Sequence, residues 1–401
     1  MNKPEGNPKV NGAVSDNGQE TYTRSGILRK PRTQSVTALR KNEPRPKKTK
    51  RSSEAFIAIH LGAGDHNLTV NKRDLYKSLC KTSCQEGMKV LLSGGSADEA
   101  VAVATIFLEN SKLVNAGQGS SLTIDQTVEC DAGFMNGSGY FGGVAAVPGV
   151  PNPILIAKKI ADLHREEPLL SCGRIPPTCL SGLGAKSWAE SNGIPTCDEN
   201  LMVSDRNRKV YKKYIEKMQK AEESMSSEVS DTVGAIALDK FGNVASTVSS
   251  GGNWLKHSGR VGHAPVFGCG CFSHNNTKDK NAIAVSCSGS GEMLAKSHLP
   301  QCISKCVESK ACLGLVDAVS TVIQKEFISN ELLKCHKETK NVGMIGIRWD
   351  GRRGEYVWGH TSKSFIVAHL ASSNEVVKVE FSELQENAIP GKSMKVNGVA
   401  F

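Results

Sequence analysis

The sequence predicts an α/β layered domain that begins near residue 55. Strand-like apolar runs alternate with segments that carry helix signals along residues 55–166, an order typical of sheets covered by helices. After residue 231 the pattern changes to a series of strand-like runs interrupted by two predicted helices. The sequence shows no repeat with a period of about 20–50 residues, which argues against a solenoid or a propeller.

The first predicted strand is AFIAIHLGAG, residues 55–64, where an apolar run ends in a glycine-rich bend. A helix is expected at about 73–88. A second helix is predicted to begin after Ser96, because Ser96 can act as its N-cap and Glu99, three residues later, completes a capping box. The remaining elements of this half are a strand pair at 127–138 and 140–147 and a helix opened by Pro153.

A charged segment separates the two halves of the chain. Residues 205–231 contain almost no large aliphatic side chains. They could form a solvated helix, but the missing apolar stripe favours an exposed, mobile linker over about 198–231. After it, strands are predicted at 232–238, 243–250, 282–288, 342–348 and 354–359, with helices near 290–298 and 313–327.

The first 54 residues are predicted to be a disordered basic tail. They hold 13 Lys or Arg against 5 Asp or Glu, so they carry +8 of the net charge of +10. The nearly neutral remainder argues against direct nucleic-acid binding. The cluster PRPKKTKR, Pro44 to Arg51, is typical of a nuclear-import signal; the alternative is a merely solvated tail.

The cysteines and the apolar runs indicate the cellular compartment and whether a cofactor is expected. Thirteen cysteines without a signal-peptide pattern predict free thiols in a reducing compartment. No paired CxxC sets and no phosphate-binding glycine motif occur, so neither a metal nor any other cofactor is predicted. No apolar run approaches the roughly 20 residues needed to cross a bilayer, so a soluble intracellular protein without membrane contact is expected.

The segment EVSDTVGAIALDKFGNVASTVSSGG, residues 228–252, indicates the chemistry. A threonine hydroxyl inside a chain has no adjoining base. If the bond between Asp231 and Thr232 is cut, Thr232 gains an α-amine with a pKa of about 8 that can take the hydroxyl proton. The turn DKFGN joins two predicted antiparallel strands, so the Ser250 hydroxyl should lie beside Thr232 and hold its rotamer. The sequence therefore predicts a self-cleaving hydrolase.

Six blocks in the same order resemble the type 2 asparaginase family of N-terminal nucleophile hydrolases. They are IHLGAG, NAGQGSSLTIDQTVECDA, FGGVAAVPGVPNP, SDTVGAIALDKFGNVASTVSSGG, KHSGRVGHAPVFGCGCF and AVSCSGSGE. The resemblance covers about residues 55–300. It implies a four-layer αββα sandwich for residues 55–401, and a mature enzyme made of residues 1–231 (α) and 232–401 (β) that needs no cofactor.

The resemblance also implies catalytic roles for four residues. Thr232 matches the nucleophile, and Ser250 matches a hydroxyl beside it. Ser288 and Gly289 match the pair whose hydroxyl and backbone N–H stabilise the oxyanion, a contribution of about 100- to 1000-fold for each donor.

Arg260, His263 and Gly291 match positions that bind the substrate. Arg260 corresponds to an arginine that holds a carboxylate, which suits its planar guanidinium. Small-molecule amidases of the family carry an Asp at the position of His263, and that Asp binds the free α-amine of their amino-acid substrate. A residue inside a peptide has no free α-amine, so His263 favours an endopeptidase.

Within the family, GCGCF after GRVG, the segments GRIPP and NGIPTC and the aspartate before Thr232 are most similar to threonine aspartases, endopeptidases that cut after aspartate. This implies protein substrates such as nuclear regulators, a nuclear and cytoplasmic location, and αβ pairs that dimerise to (αβ)2. The alternative is an amidohydrolase of asparagine, isoaspartyl dipeptides or glycosylated asparagine. A third hypothesis, a catalytically silent nuclear interaction protein, conflicts with the complete set of catalytic positions.

Overall fold

The computed structural model describes residues 54–220, 232–276, 281–309 and 312–401. Except for Glu54, the predicted basic tail lies outside these residues, as do the Pro44 to Arg51 cluster and Asp231. The first strand begins at Phe56, next to the predicted start of order.

Thirteen strands and eight α-helices lie within the described residues. The strands are β1 (Phe56–Gly64), β2 (Glu129–Asn136), β3 (Phe141–Pro148), β4 (Cys179–Ser181), β5 (Val233–Leu238), β6 (Val244–Ser250), β7 (Cys271–Asn276), β8 (Asn281–Gly289), β9 (Val342–Trp349), β10 (Gly354–His360), β11 (Ser364–Ala371), β12 (Lys378–Glu383) and β13 (Lys395–Ala400). The helices are α1 (Val70–Leu92), α2 (Ala97–Glu109), α3 (Pro153–Glu166), α4 (Gly182–Ser191), α5 (Asp205–Gln219), α6 (Gly291–Ser297), α7 (Leu299–Glu308) and α8 (Leu315–Val322), which continues as a π-helix at Ile323–Ile328.

The strands form two sheets. The first has eight strands in the order β12-β11-β1-β5-β6-β2-β3-β4, and the second has five in the order β13-β10-β9-β8-β7. In the first sheet only β3 and β4 pair in parallel. The hairpin of β5 and β6 occupies the middle of this sheet, with Val233 opposite Ser249. The predicted catalytic hairpin is therefore flanked by strands on both sides.

Three apolar clusters sort these elements into layers. One cluster packs α1 to α4 against the outer face of the eight-stranded sheet and contains the fully buried Leu108 and Ile154. The second fills the space between the sheets and contains Phe56 and Ile345. The third packs α6, α7 and α8 on the outer face of the five-stranded sheet. The predicted four-layer αββα sandwich is confirmed.

Local signals place several elements correctly. Ser96 Oγ accepts a hydrogen bond from Glu99 N at 3.3 Å, and Glu99 Oε2 accepts one from Ser96 N at 2.9 Å, so the predicted capping box of α2 forms. The elements that the sequence did not predict are β4, β7, β11, β12, β13, α4, α5 and α7. Four of these strands, β4, β7, β12 and β13, are sheet edges, where one side of the strand is unpaired and the apolar pattern is weak.

Within the segment predicted as a mobile linker, about 198–231, residues Asp205–Gln219 form helix α5. One face of this helix contacts the body of the domain through an amide and two aromatic side chains spaced by four and three residues, which places them on the same side. These contacts are Asn207 Nδ2 to Ser120 O (2.6 Å), Tyr211 Oη to Ile124 O (2.9 Å) and the stack of Tyr214 on Trp254 (ring centroids 5.7 Å apart). Polar and aromatic groups thus form the stripe that aliphatic residues do not. Residues 221–231 lie outside the described part of the chain.

The prediction of free thiols is wrong for one pair of cysteines. Cys306 and Cys312 form a disulfide, and the other eleven cysteines are free. The end of α7 and the segment before α8 bring the two thiols together, a juxtaposition that their spacing in the sequence does not reveal.

The described residues contain neither a candidate metal centre nor a candidate membrane span. Nowhere among them do three His, Cys, Asp or Glu side chains cluster in a way that could hold a metal ion. The helices of the same residues are too short or too polar to cross a bilayer.

Buried ionisable groups make the stability of this fold depend on pH. Burial lowers the pKa of His60 to about 3 and the pKa values of His263, His360 and His369 to about 4. Burial also raises the pKa of Glu109 to about 8. Below pH 6.5 the unfolded chain binds protons at four histidines that remain neutral in the fold, so the free energy of unfolding decreases as the pH falls. Above pH 4.5 the unfolded chain loses the Glu109 proton that the fold retains, so this single group lowers stability as the pH rises towards 8.

We therefore expect the urea midpoint of unfolding to be highest near pH 6.5. Below that pH four histidines outweigh one glutamate. Above it the glutamate acts, joined as the pH nears 9 by buried cysteines whose thiol pKa burial raises, so the decline between pH 6.5 and 8 is shallower than that on the acid side. Circular dichroism during urea titration at several pH values measures the midpoint. Glu109→Gln should flatten the decline between pH 6.5 and 8 and steepen the rise between pH 4.5 and 6.5. A wild-type midpoint that increases steadily from pH 6.5 to 8 would contradict this account.

Candidate active site

Thr232 lies directly before β5 and is fully buried. Its Oγ1 is 3.0 Å from the Oγ of Ser250, the last residue of β6. The β5–β6 register brings the two hydroxyls to the same end of the hairpin, as the sequence predicts. Ser250 Oγ also accepts a hydrogen bond from Gly252 N at 3.0 Å. The loop backbone thus fixes Ser250, and Ser250 in turn fixes the Thr232 side chain.

In the part of the chain that the structure describes, no basic side chain is bonded to the Thr232 hydroxyl. Within the described residues its hydrogen-bond partner is Ser250 Oγ, and a serine hydroxyl is not a base near neutral pH. An α-amine created by a cut before Thr232 would supply the missing base. The arrangement therefore suits an N-terminal nucleophile better than a serine–histidine pair.

His60 lies behind the strand that follows Thr232. Its Nε2 is 2.9 Å from Ser286 Oγ. Burial, and to a smaller extent the nearby His263 imidazole, lower the pKa of His60 to about 3. A hydrogen bond with the Thr232 backbone raises this pKa but does not offset the two effects. A Cβ atom on Gly234 would lie 2.1 Å from Ser286 Oγ and 2.5 Å from His60 Nε2. Glycine at this position leaves room for a neutral histidine beside the strand that follows Thr232.

A narrow cleft opens beside Thr232. Its lining consists of Thr232, Ser250, Gly252, Asn253, Arg260, Gly262, His263, Ala264, Gly289 and Gly291. All three predicted substrate-binding residues, Arg260, His263 and Gly291, are in this set. Among the described residues, the lining contains one charged side chain, that of Arg260, and no carboxylate. The described lining therefore offers a charged partner to an anion and none to a cation.

The guanidinium of Arg260 lies among glycines. A Cβ atom at Gly252 or Gly262 would come within 3.1 Å of its Nη1, and one at Gly291 would come within 2.7 Å of its Nη2. These three positions are therefore part of the arginine site, because a side chain at any of them would displace the guanidinium.

Glu292 pairs with Arg260 from the rim of the cleft. Arg260 Nε donates to Glu292 Oε1 at 2.8 Å, and Nη2 lies 2.6 Å from the same oxygen without the geometry of a hydrogen bond. Partial burial raises the pKa of Glu292, but the attraction and hydrogen bond of Arg260 outweigh it and hold the pKa below its usual value. Glu292 was not predicted as a site residue. Its place directly after Gly291 in SGSGE was the available signal.

His263 presents one ring nitrogen to the cleft. Its Nε2 is 3.2 Å from Cys287 O, and its Nδ1 is 3.5 Å from the point where a Cβ of Gly291 would lie. Burial, aided by the Arg260 charge, lowers the pKa of His263 to about 4 despite the hydrogen bond to Cys287. The imidazole is therefore neutral near pH 7.

The two residues of the predicted oxyanion pair have different surroundings. Gly289 lines the cleft, and its φ of +144° and a Cβ position 2.1 Å from Asn341 O both require glycine. Ser288 is fully buried, is not part of the lining, and accepts a hydrogen bond from Ala63 N at 3.1 Å. The Ser288 hydroxyl thus ties β8 to the glycine-rich end of β1.

Two buried polar side chains hold the backbone on either side of Arg260. Asn115 Nδ2 donates to Gly252 O at 2.7 Å, and Asp131 Oδ2 accepts from Gly262 N at 2.8 Å. Neither was predicted as a site residue, although both lie in the blocks that carry the family resemblance. They position the cleft without lining it.

Known proteins resemble this chain over most of its length. The asparaginase family model matches residues 53–379. An isoaspartyl peptidase/L-asparaginase of Mus musculus is 31% identical over 338 residues, which are 84% of this chain and 94% of the mouse protein. An isoaspartyl peptidase of Salmonella typhimurium is 31% identical over 286 residues, 68% of this chain and 85% of that protein. With the cleft inside the matched region, the chain belongs to the type 2 asparaginase family of N-terminal nucleophile hydrolases.

Proposed function

We propose that this protein is a self-processing threonine endopeptidase that cleaves proteins after aspartate. The observation that carries the proposal is the charge of the cleft, whose described lining contains Arg260 and no carboxylate. Such a cleft complements a substrate residue with one carboxylate and no ammonium group. An aspartate inside a protein has both properties.

The alternative is an amidohydrolase, and the names of the relatives favour it. Free asparagine, isoaspartyl dipeptides and glycosylated asparagine each carry an α-ammonium close to a carboxylate. In this cleft the ammonium would meet the neutral His263, while the Glu292 carboxylate is already paired with Arg260. A charge buried without a partner costs several kcal/mol, about 3–5 in typical cases. The endopeptidase therefore fits the cleft better.

One cleft can serve either chemistry because the substrates share a spacing. In free asparagine and in an aspartyl residue, two carbon atoms separate the carbonyl that is cleaved from the carboxylate that is bound. The position of the nitrogen differs: asparagine carries its ammonium next to the carboxylate, whereas the aspartyl residue carries its amide nitrogen next to the scissile carbonyl. The choice between the two substrates therefore depends on which hydrogen-bond or charge partner the cleft provides for the substrate nitrogen.

Self-processing starts with attack of Thr232 Oγ1 on the carbonyl carbon of Asp231. The C–O ester bond forms, the peptide C–N bond breaks, and the hydroxyl proton passes to the released α-amine. Water then hydrolyses the ester. Asp231 leaves as a carboxylate, and Thr232 regains its hydroxyl beside a free amine.

Cleavage of a substrate protein repeats this chemistry with the new amine as the base. The amine takes the Oγ1 proton as Oγ1 attacks the substrate carbonyl, and returns it to the departing nitrogen. The backbone at Gly289 faces the developing oxyanion, and Arg260 holds the aspartate carboxylate. Water hydrolyses the acyl-enzyme ester and restores Thr232.

Peptides that differ only in the residue before the scissile bond test the proposal. With the mature protein, the aspartate peptide should have a kcat/KM at least about 100-fold above those of the asparagine and glutamate peptides, because asparagine lacks the charge and glutamate displaces the carbonyl by one carbon. Free L-asparagine, assayed by ammonia release, should not be turned over. Turnover of L-asparagine without cleavage of any peptide would establish the amidohydrolase instead.

A further inference from the structure

We propose that His263 is a specificity-determining residue whose Nδ1 accepts the backbone N–H of the substrate aspartate. This inference rests on the proposed endopeptidase function. It pairs the His263 ring nitrogen that faces the cleft with the backbone N–H of the substrate aspartate. Every aspartate within a peptide carries this N–H next to its scissile carbonyl.

The contacts of His263 determine which nitrogen can accept. Nε2 lies 3.2 Å from Cys287 O, and a carbonyl oxygen only accepts hydrogen bonds, so Nε2 carries the ring proton. Nδ1 is then the lone-pair nitrogen of a neutral imidazole. Within the described residues Nδ1 makes no hydrogen bond. The imidazole of His263 therefore presents one uncharged acceptor nitrogen.

His263 Nδ1 and the Arg260 guanidinium both border the space beside Gly291. The point where a Cβ of Gly291 would lie is 3.5 Å from His263 Nδ1 and 2.7 Å from Arg260 Nη2. In a peptide-linked aspartate only Cα and Cβ separate the amide nitrogen from the carboxylate carbon. One aspartyl residue can therefore place its carboxylate at Arg260 and its N–H at His263 while its carbonyl faces Thr232.

The number of hydrogen bonds favours a peptide over a free amino acid. A peptide nitrogen has one hydrogen to donate, and Nδ1 has one lone pair to receive it. An ammonium group has three hydrogens to donate and carries a charge. One neutral acceptor can bind only one of those hydrogens and does not compensate the charge. Two features thus select an aspartate inside a peptide: His263 accepts its N–H, and the described lining has no carboxylate for an ammonium group.

N-methylation of the substrate aspartate tests the assignment, because the methyl group replaces the hydrogen in question. The measured quantity is the ratio of kcat/KM for the plain and the methylated peptide. In wild-type protein the ratio should exceed that in His263→Leu by about 10-fold. Steric effects of the methyl group occur in both proteins and cancel in the comparison, so a merely structural role of His263 predicts equal ratios. Equal ratios would overturn the inference.

Further variants keep the result interpretable. His263→Phe also lacks an acceptor and should behave as His263→Leu, whereas His263→Gln retains an acceptor and should keep part of the wild-type ratio. His369→Leu alters another buried histidine that does not line the cleft and should leave the ratio unchanged. Urea midpoints and self-cleavage show that each variant is folded.

The proposed function and the role of His263 fail in different ways. If the wild-type protein cleaves no aspartate peptide, the endopeptidase itself is refuted. If it cleaves the aspartate peptide but methylation has the same effect with and without His263, only the role of His263 is refuted. As an independent readout, His263→Asp supplies a carboxylate for an ammonium group, and turnover of free L-asparagine should become measurable above the background of the wild-type protein.

Discussion

Thr232→Ala protein is expected to remain a single chain of 42.9 kDa without hydrolytic activity. The substitution removes the one hydroxyl that faces the cleft from the start of β5. Wild-type protein should instead yield two pieces, about 25 and 18 kDa in proportion to their lengths. Loss of an enzyme nucleophile costs about 10,000-fold or more in kcat. A denaturing gel and a peptide assay measure the two effects.

Matched variants show whether the hydroxyl is the cause. Thr232→Ser retains a hydroxyl and should keep part of the self-cleavage. Thr247→Ala also removes a buried strand hydroxyl, which lies 2.7 Å from the hydroxyl of Thr105 and does not line the cleft. The Thr247→Ala protein should therefore be cut normally. Edman degradation of the smaller wild-type piece should begin with Thr-Val-Gly. Any other first residue in an active preparation would refute an N-terminal threonine.

Arg260→Ala is expected to lower kcat/KM for aspartate peptides by about 30-fold or more, chiefly through a higher KM. The change removes the charge that would hold the substrate carboxylate. It also leaves the Glu292 carboxylate without its partner, so the cleft rim would repel an aspartate. Steady-state kinetics with the aspartate and asparagine peptides measure the effect, and the loss should be larger for aspartate.

Arg348 supplies the control for this prediction. Its Nη1 is 3.2 Å from Glu355 Oε1, so it is also an arginine paired with a glutamate, but it lies in β9 and not in the cleft. Arg348→Ala should therefore leave kcat/KM unchanged. Equal losses in the two variants would mean that stability, and not recognition of the carboxylate, explains the Arg260 result.

The hairpin that holds Thr232 and Ser250 could be predicted from the sequence because its geometry is local. The turn DKFGN, with two strand-like runs beside it, is enough to bring Thr232 next to Ser250 at 3.0 Å. The capping box at Ser96 is local in the same sense, since both partners lie within one helical turn. Such features need no knowledge of the rest of the fold.

Contacts between distant segments could not be predicted in this way. His60 meets Ser286 across 226 positions of the chain, and the Arg260–Glu292 pair depends on a helix placed against a loop from another layer. Each contact exists only after the two sheets have stacked. Helix α5 was missed for a different reason: its buried face is polar and aromatic, so a search for aliphatic periodicity passes over it.

The strand order of the first sheet has a consequence for the cut protein. From one edge to the other, the sheet contains two strands from downstream of Thr232, then β1, then two more downstream strands, and then β2, β3 and β4. Strands of the two pieces are thus interleaved and share main-chain hydrogen bonds at three boundaries. A processed molecule could exchange one of its pieces with another copy only by unfolding globally, so each pair formed by self-cleavage would stay together for the lifetime of the fold.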